Sequence, residues 1–553
     1  MANKIIFFSV LCIFIFTGCS DKNVIHINKL VSKGKQLNRN INNQYTIFET
    51  SIRLLIDSKD EDSYLKRGYA YYEDGNYKRA LSDFDTLLKL NPKNHLAYNY
   101  RANVYSQLQK IEEAFNDYNK VVELAPNEEF AYTNRAWAYY LKGMYDEALK
   151  DYDEAIKIFP DKYQVYYDRG WVLYYTQKYD EAISDFTKSI SLEENHSNSY
   201  YERGLCYIKK ENYETAIKDF DKAISLNASE KYYYYWRGIS YYNLNKYEEA
   251  ITDLVLTNKL DPKFRDSYYD KGFIYYKMNQ IDKSVVEYTN IIELDPSDYY
   301  PYYERGRIYN LLDDYDKAIS DLSKSLELGN KNIEVYYERS YSYSKKLDFL
   351  KSNEDLNKVI ELNANYPDAY TDRGWNYFNL NDFTKAMNDM KKAIEINPKY
   401  YYSYYTIGKL YLKSKNYAEA NKNYEKSMAL NPSFIWHYPY YLVSSFKISK
   451  KEYEKAFNVF TSNIKNIKEK MQKDKDFQYN NQILDFLVGS SDINKVLEVA
   501  KDDKEKLCEI YAYAGYKFLF QNNNKEAKDY FAKSIQTGRK DLFIYKLVEN
   551  EIE

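Results

Sequence analysis

The 553-residue chain is short of the residues that build reactive centres. It has only four cysteines and four histidines, and its 79 basic and 82 acidic residues nearly cancel to a formal charge of -3. His26, His95, His196 and His437 stand far apart, none with a second ligand or a nucleophile at useful spacing, which argues against metal binding and general-base catalysis. The balanced charge gives no basic footprint for nucleic acid. Glycines recur singly, so no phosphate-cradling loop is present. Acidic pairs such as Glu112-Glu113 and Asp313-Asp314 fall in polar turns and read as solvated faces. Beyond the first twenty residues only Cys206 and Cys508 remain, too distant for a disulfide framework and each best read as a small buried apolar residue. The chain therefore reads as a non-enzyme with no cofactor, no metal and no small-molecule substrate.

Long hydrophobic runs are lacking too. The apolar stretch from Ile5 to Phe16 follows Lys4, is too short to cross a bilayer, and runs into Thr17-Gly18-Cys19. Small residues before a cysteine after such a run resemble a bacterial lipoprotein signal. The resemblance implies cleavage before Cys19 and a diacylglycerol on its thiol, so that the mature chain touches the membrane through a lipid anchor only. Ser20 in place of Asp implies, in a two-membrane organism, the outer membrane of the cell envelope. An ordinary secretory peptide is the alternative. Residues 1–19 are thus read as the signal, and 20–60 as a polar tether with a capping helix over Tyr45 to Ile56.

What the chain has in abundance is tyrosine, 68 residues, and a period. Steps of thirty-four residues back from Pro432 land on Pro398, Ala364, Asn330, Pro296, Pro262, Ala228, Glu194, Pro160, Pro126 and Pro92 without insertion or deletion. Twenty-four residues before these marks stands a small residue, Gly68, Ala102, Ala136, Gly170, Gly204, Gly238, Gly272, Gly306, Ser340, Gly374 and Gly408. Within each unit the apolar residues form two blocks of helical period split by a polar turn, and the second block stops at Asn-Pro or Asp-Pro. Each unit therefore reads as a helical hairpin, with the small residue where two helices touch.

Tyr64, Gly68, Tyr71, Ala80, Phe84 and Pro92, repeated as Tyr234, Gly238, Tyr241, Ala250 and Leu254, resemble the tetratricopeptide repeat. The resemblance implies an all-α, right-handed superhelical solenoid of helical hairpins, with eleven repeats over 61–434 and degenerate repeats with a C-terminal cap over 435–553. The family's usual Trp at the first position is Tyr in all eleven units.

Two further columns follow the period. Arg67, Arg101, Arg135, Arg169, Arg203, Arg237, Lys271, Arg305, Arg339 and Arg373 each precede the small residue, and sixteen residues on stand Asp83, Asp117, Asp151, Asp185, Asp219, Asp253, Glu287, Asp321, Asp355 and Asp389. Where the cation becomes Lys271 the anion becomes Glu287, and where it becomes Ile407 the anion becomes Asn423. The matched changes imply an ion pair between the two helices of one hairpin.

In such a superhelix the first helix of each hairpin lines the concave surface. Three residues before the small position, Tyr167, Tyr201, Tyr235, Tyr269, Tyr303 and Tyr337 form a ladder. One turn later come Trp137, Trp171 and Phe273, and another turn on Tyr140, Tyr174, Tyr242 and Tyr276. An aromatic trough of this kind suits an extended polypeptide or a helix, because Tyr and Trp offer area at low entropic cost. The expected function is a scaffold or adaptor of the cell envelope holding a partner protein there. The alternative is a glycan or cell-wall binding module, since rings also stack on sugars. Packing between repeats is the structural explanation of the same tyrosines.

Overall fold

The computed structural model describes residues 42–470, 477–540 and 542–552. Every regular element among them is a helix. A helix covers 42–56, and eleven hairpins follow, from Glu61–Glu73 with Tyr77–Leu90 to Tyr401–Lys413 with Tyr417–Leu430. The hairpins group into two compact units, one ending at Glu287 and the other starting at Tyr288, so the border falls inside the second helix of hairpin 7, Ile281–Leu294. The sequence period crosses this border without a break. In a stack where each hairpin touches only its neighbours, no single core has to span the whole length.

Local chemistry makes the hairpin. At the turn one residue per period takes a left-handed backbone, including Gly75 at φ 74°, Asn245 at 58° and Leu347 at 63°. The next residue starts the second helix and, as Asn76, Asn212, Asp314, Asp348, Asp382 or Asn416, accepts a bond from a free backbone N–H of the first turn. Asn91 ends that helix and its side chain accepts from Lys93 N, closing the link to the next hairpin.

The small position is a contact, as its period suggests. A Cβ on Gly68 would stand 2.6 Å from the Phe84 ring, and one on Gly408 2.6 Å from the Tyr424 ring. In these hairpins the ring sixteen positions on thus lies against bare backbone, a place taken by Leu322 at Gly306. Phe84, Phe186 and Phe220 are fully buried there, and each such ring contributes about 1.5–3 kcal/mol by leaving water.

The ion pair also forms. Arg101 donates from Nε and Nη2 to both carboxylate oxygens of Asp117 at 2.7 Å, and Arg237 does the same to Asp253 at 2.7 Å. Lys271 holds Glu287 at 2.8 Å. The third guanidinium nitrogen reaches back one hairpin: Nη1 of Arg101 donates to Asp85 at 2.7 Å, that of Arg237 to Asp221 at 2.6 Å, and that of Arg339 to Ser323 Oγ at 2.9 Å. Each arginine therefore closes its own hairpin and ties it to the preceding one. Burial pushes the Asp117, Asp185, Asp219, Asp253 and Asp355 carboxyls up, against the pull of their arginines. Where the pair is missing, Ile407 is buried and Asn423 turns its amide to Glu419 O of its own helix.

Within the second unit the chain continues as His437–Ile448 with Lys450–Lys470, Phe477–Val488 with Ile493–Ala500, Lys504–Phe520 with Asn524–Gln536, and Phe543–Ile552. These helices share one large apolar core with hairpins 10 and 11. In the first unit the buried sets are small and local to neighbouring hairpins. Cys206 and Cys508 are both buried and unpaired. No helix among the described residues is long and apolar enough to cross a membrane. Cys19 lies outside the described residues.

Candidate functional site

The first helices present the aromatic columns, and the three columns differ in how far the next hairpin covers them. Tyr167, Tyr201, Tyr235, Tyr269 and Tyr337 are half-buried and Tyr303 is only 9 % exposed. Their rings lean on the link before the next hairpin: Tyr167 on His196 at 4.9 Å, Tyr235 on Phe264 at 5.0 Å and Tyr337 on Tyr366 at 5.4 Å between centroids. Tyr201 instead meets Tyr233 at 5.1 Å. The Tyr337 hydroxyl donates to Asp372 Oδ2 at 2.7 Å, and the Tyr235 hydroxyl bonds the Asp270 carboxyl. These contacts leave the ladder tyrosines partly exposed and partly packed against the next hairpin, with Tyr303 the most covered. A phenol three residues ahead of the small position is long enough to span to the next repeat, and Tyr235 and Tyr337 bond across to it.

Asp270 and Asp372, which bond ladder tyrosines, belong to an acidic column the sequence reading missed. Asp168, Glu202, Asp270 and Asp372 each stand immediately before a paired cation, thirty-five residues beyond a tyrosine or threonine of the ladder position. Burial pushes Asp168, Asp270 and Asp372 up to about 6 and Glu202 up to about 7. The recurring acid before the arginine was the available signal.

The outer two columns stay open in the first unit. Trp137 is 41 % exposed, and Trp171 and Tyr140 are half-buried beside it. Their rings touch at 5.6 Å for Trp137 with Trp171, 5.2 Å for Trp137 with Tyr140 and 4.9 Å for Tyr140 with Trp171. Tyr175, 54 % exposed, stands 4.4 Å from Trp171. It was not singled out from sequence because it belongs to no column, only to the rim of this cluster. Tyr174 turns toward Tyr179 at 5.8 Å. Further along, Tyr242 meets the exposed Phe273 at 6.0 Å, and Tyr276 is exposed.

In hairpins 10 and 11 of the second unit the equivalent positions are covered, while Tyr341 in hairpin 9 stays exposed. Trp375 and Phe378 continue the Trp and Tyr columns, and Lys409 takes the Trp register one repeat later. Phe543, at the start of the last helix, packs on Phe378 at 5.3 Å and on Tyr440 at 5.4 Å. The C-terminal segment thus covers Phe378 and Trp375, whose counterparts in hairpins 3 and 4 stay open.

Tetratricopeptide-repeat models match residues 65–129, 130–162, 163–196, 197–229, 232–264, 266–298, 287–320, 367–400 and 401–434, together more than half of the chain. The chain is a tetratricopeptide-repeat protein. No curated relative matches it. Among solved structures it is similar to YrrB, described as a TPR protein with an unusual peptide-binding site, at 22 % identity over 34 % of this chain and 97 % of that one, TM-score 0.30. It is similar to PilF of Pseudomonas aeruginosa at 20 % identity over 37 % and 95 %, TM-score 0.34. The Cut9–Hcn1 hetero-tetramer of the APC/C matches at 14 % identity over 72 % and 92 %, TM-score 0.32. Membership in the tetratricopeptide-repeat family supports a protein-interaction scaffold. It also explains why the arginines, glycines and ring stacks are spent on the hairpin itself, leaving only outward positions to vary with function.

Proposed function

We propose that this tetratricopeptide-repeat protein is an adaptor of the bacterial cell envelope, anchored through a lipid on Cys19. It holds an extended segment or helix of a partner protein against Trp137, Tyr140, Trp171 and Tyr175. The observation that carries this reading is the cluster itself: four touching rings, two of them exposed, on the face that tetratricopeptide repeats direct at ligands. A solitary exposed ring needs no explanation, whereas a contiguous exposed aromatic patch marks an interaction surface. The seat of Phe543 on Phe378 and Tyr440 supports the same chemistry, since there the face accepts an aromatic side chain from the start of a helix.

The test replaces Trp171 by a photo-crosslinking amino acid in cells and compares adducts with and without Trp137→Ala and Tyr175→Ala. Loss of one discrete protein adduct in the variants supports the groove. Adducts unchanged by both substitutions, or binding of wall polysaccharide that both abolish, would replace the adaptor by another scaffold face or by the glycan reading. The anchor is tested separately: Cys19→Ala should abolish incorporation of labelled palmitate and release the chain from the membrane fraction.

A further inference from the structure

Between the face of hairpins 10 and 11 and the C-terminal segment, within the second unit, lies a cavity of about 770 Å³. That is the size of sites that hold small organic molecules. One wall is aromatic, with Trp375, Tyr402, Tyr405, Phe434 and Phe543. Into it points Lys409, which is 3 % exposed. Five rings surround its ammonium, nearest Trp375 at 4.4 Å and Phe543 at 4.5 Å, then Tyr405 at 5.3 Å, Tyr440 at 5.4 Å and Phe378 at 5.6 Å.

Ring faces attract a cation but accept no conventional N–H···O bond, and an ammonium carries three donors. Among the described residues none of the hydrogen bonds or ion pairs involves Lys409. The half-buried Glu509 of the same cavity acts on Lys409 without forming an ion pair, and it accepts instead from the Tyr479 hydroxyl at 3.3 Å. Lys345 and Lys506 on the lining, with Asp503 and Glu505, make the rest of the cavity nearly neutral. The ammonium therefore has no protein acceptor and opens onto this cavity. The remaining volume next to it is walled by flat apolar surface.

We propose that this cavity binds a small apolar monocarboxylate, its carboxylate accepting from Lys409 Nζ and its hydrocarbon or aromatic body lying against Trp375, Tyr402, Phe434 and Phe543. The occupant supplies an acceptor that no protein group provides, beside an ammonium set among five rings where a charge-assisted bond is strong. Burial holds the Lys409 amine down at about 7 and pushes the Glu509 carboxyl up to about 7. An arriving anion therefore favours a charged Lys409 beside a protonated Glu509, and binding takes up a proton above neutrality. The site is separate from the aromatic cluster of the adaptor reading and stands or falls without it.

The experiment titrates the full chain with phenylacetate, benzylamine and benzyl alcohol, three probes of one shape, by calorimetry and by the fluorescence of Trp375 and Trp436, which line the cavity. Phenylacetate should bind about tenfold or more tighter than the other two, the effect of one added charge-assisted bond. Lys409→Met, which keeps the unbranched stem, should bring phenylacetate to the level of benzyl alcohol and leave benzyl alcohol unchanged. A tripeptide ending in phenylalanine, with its carboxyl free or amidated, separates two sources of the same chemistry: exclusion of both forms marks a free acid, and binding of the free-ended form alone marks a chain end. Equal binding of the three small probes, a preference for benzylamine, or phenylacetate affinity untouched by Lys409→Met would overturn the proposal. If that variant fails to fold, the ranking of probes on the unaltered chain decides it.

Discussion

Hairpins 3 and 4 and hairpins 10 and 11 carry the same framework and opposite surfaces. Arg135 and Arg373 grip Asp151 and Asp389 with the same two-pronged geometry, at 2.7 to 2.8 Å. Yet Trp137 faces solvent and Trp375 lines a cavity roofed by Phe543. The repeat fixes where an outward ring stands and leaves its fate to whatever else the chain folds against that face. In the first unit nothing among the described residues covers it. In the second, more than a hundred residues after the last regular hairpin do.

The largest test of this comparison is on what the two regions share. Arg135→Ala and Arg373→Ala should each cost about 3–5 kcal/mol, because each leaves a buried carboxylate unpaired. Adding Asp151→Ala or Asp389→Ala should cost little more, and chemical denaturation of single and double variants reads the non-additivity. Equal costs in the two regions would confirm a common frame, whereas a smaller loss in the covered region would mean that the roof shares the load.

Phe543→Ala should cost about 3–4 kcal/mol and act on the covered region alone. Hydrogen exchange should quicken in helices Pro367–Asn379, Tyr401–Lys413 and Phe543–Ile552, while hairpins 3 and 4 keep their protection. Loss of protection in both regions would end the distinction between them.

Lys409→Met should instead stabilise, on the order of 3 kcal/mol near neutral pH, by removing a desolvated amine. The pH dependence carries the sign. Glu509, with Tyr479, Glu505, Asp503 and Lys409 around it, has its carboxyl raised to about 7, so the native state holds a proton that the unfolded chain has lost. Stability therefore falls as pH climbs from the ordinary glutamate range to 7. Lys409, facing Glu509 and Lys546, is lowered to about 7, so the unfolded chain holds the extra proton and stability rises from 7 towards the ordinary lysine range. The two together place a minimum near neutrality. Lys409→Met should erase its alkaline limb in a thermal-melting series across pH.

The smallest effect belongs to the turn. Leu347 holds a φ of 63° where Gly143 sits in the open region at 72°. Leu347→Gly should gain up to about 1 kcal/mol by removing the side chain's clash in that conformation, as melting temperature would show.

The hairpins, the ion pair and the buried glycine were legible because each rests on contacts of fixed sequence spacing, sixteen residues for Arg with Asp and for Gly with the ring. The fate of the aromatic columns was not. Tyr337 meets Asp372 across a link, at a spacing that no helical period announces. Phe543 reaches Phe378 from 165 residues away along the chain, by a fold-back that the drifting C-terminal sequence does not encode as a period. Lys409 looked like one lysine among many until burial set it among five rings.

The backward reach of each arginine carries one more consequence. Its Nη1 finds Asp85, Asn119, Asp153, Thr187, Asp221, Ser323 or Asn357 in the hairpin before it, and any of these short acceptors serves. The joint is thus indifferent to which hairpin stands on either side. Between arginine-bearing hairpins, gain or loss of one whole period would rejoin compatible ends, a step of thirty-four residues. Modules spliced that way would inherit the frame and bring their own surface.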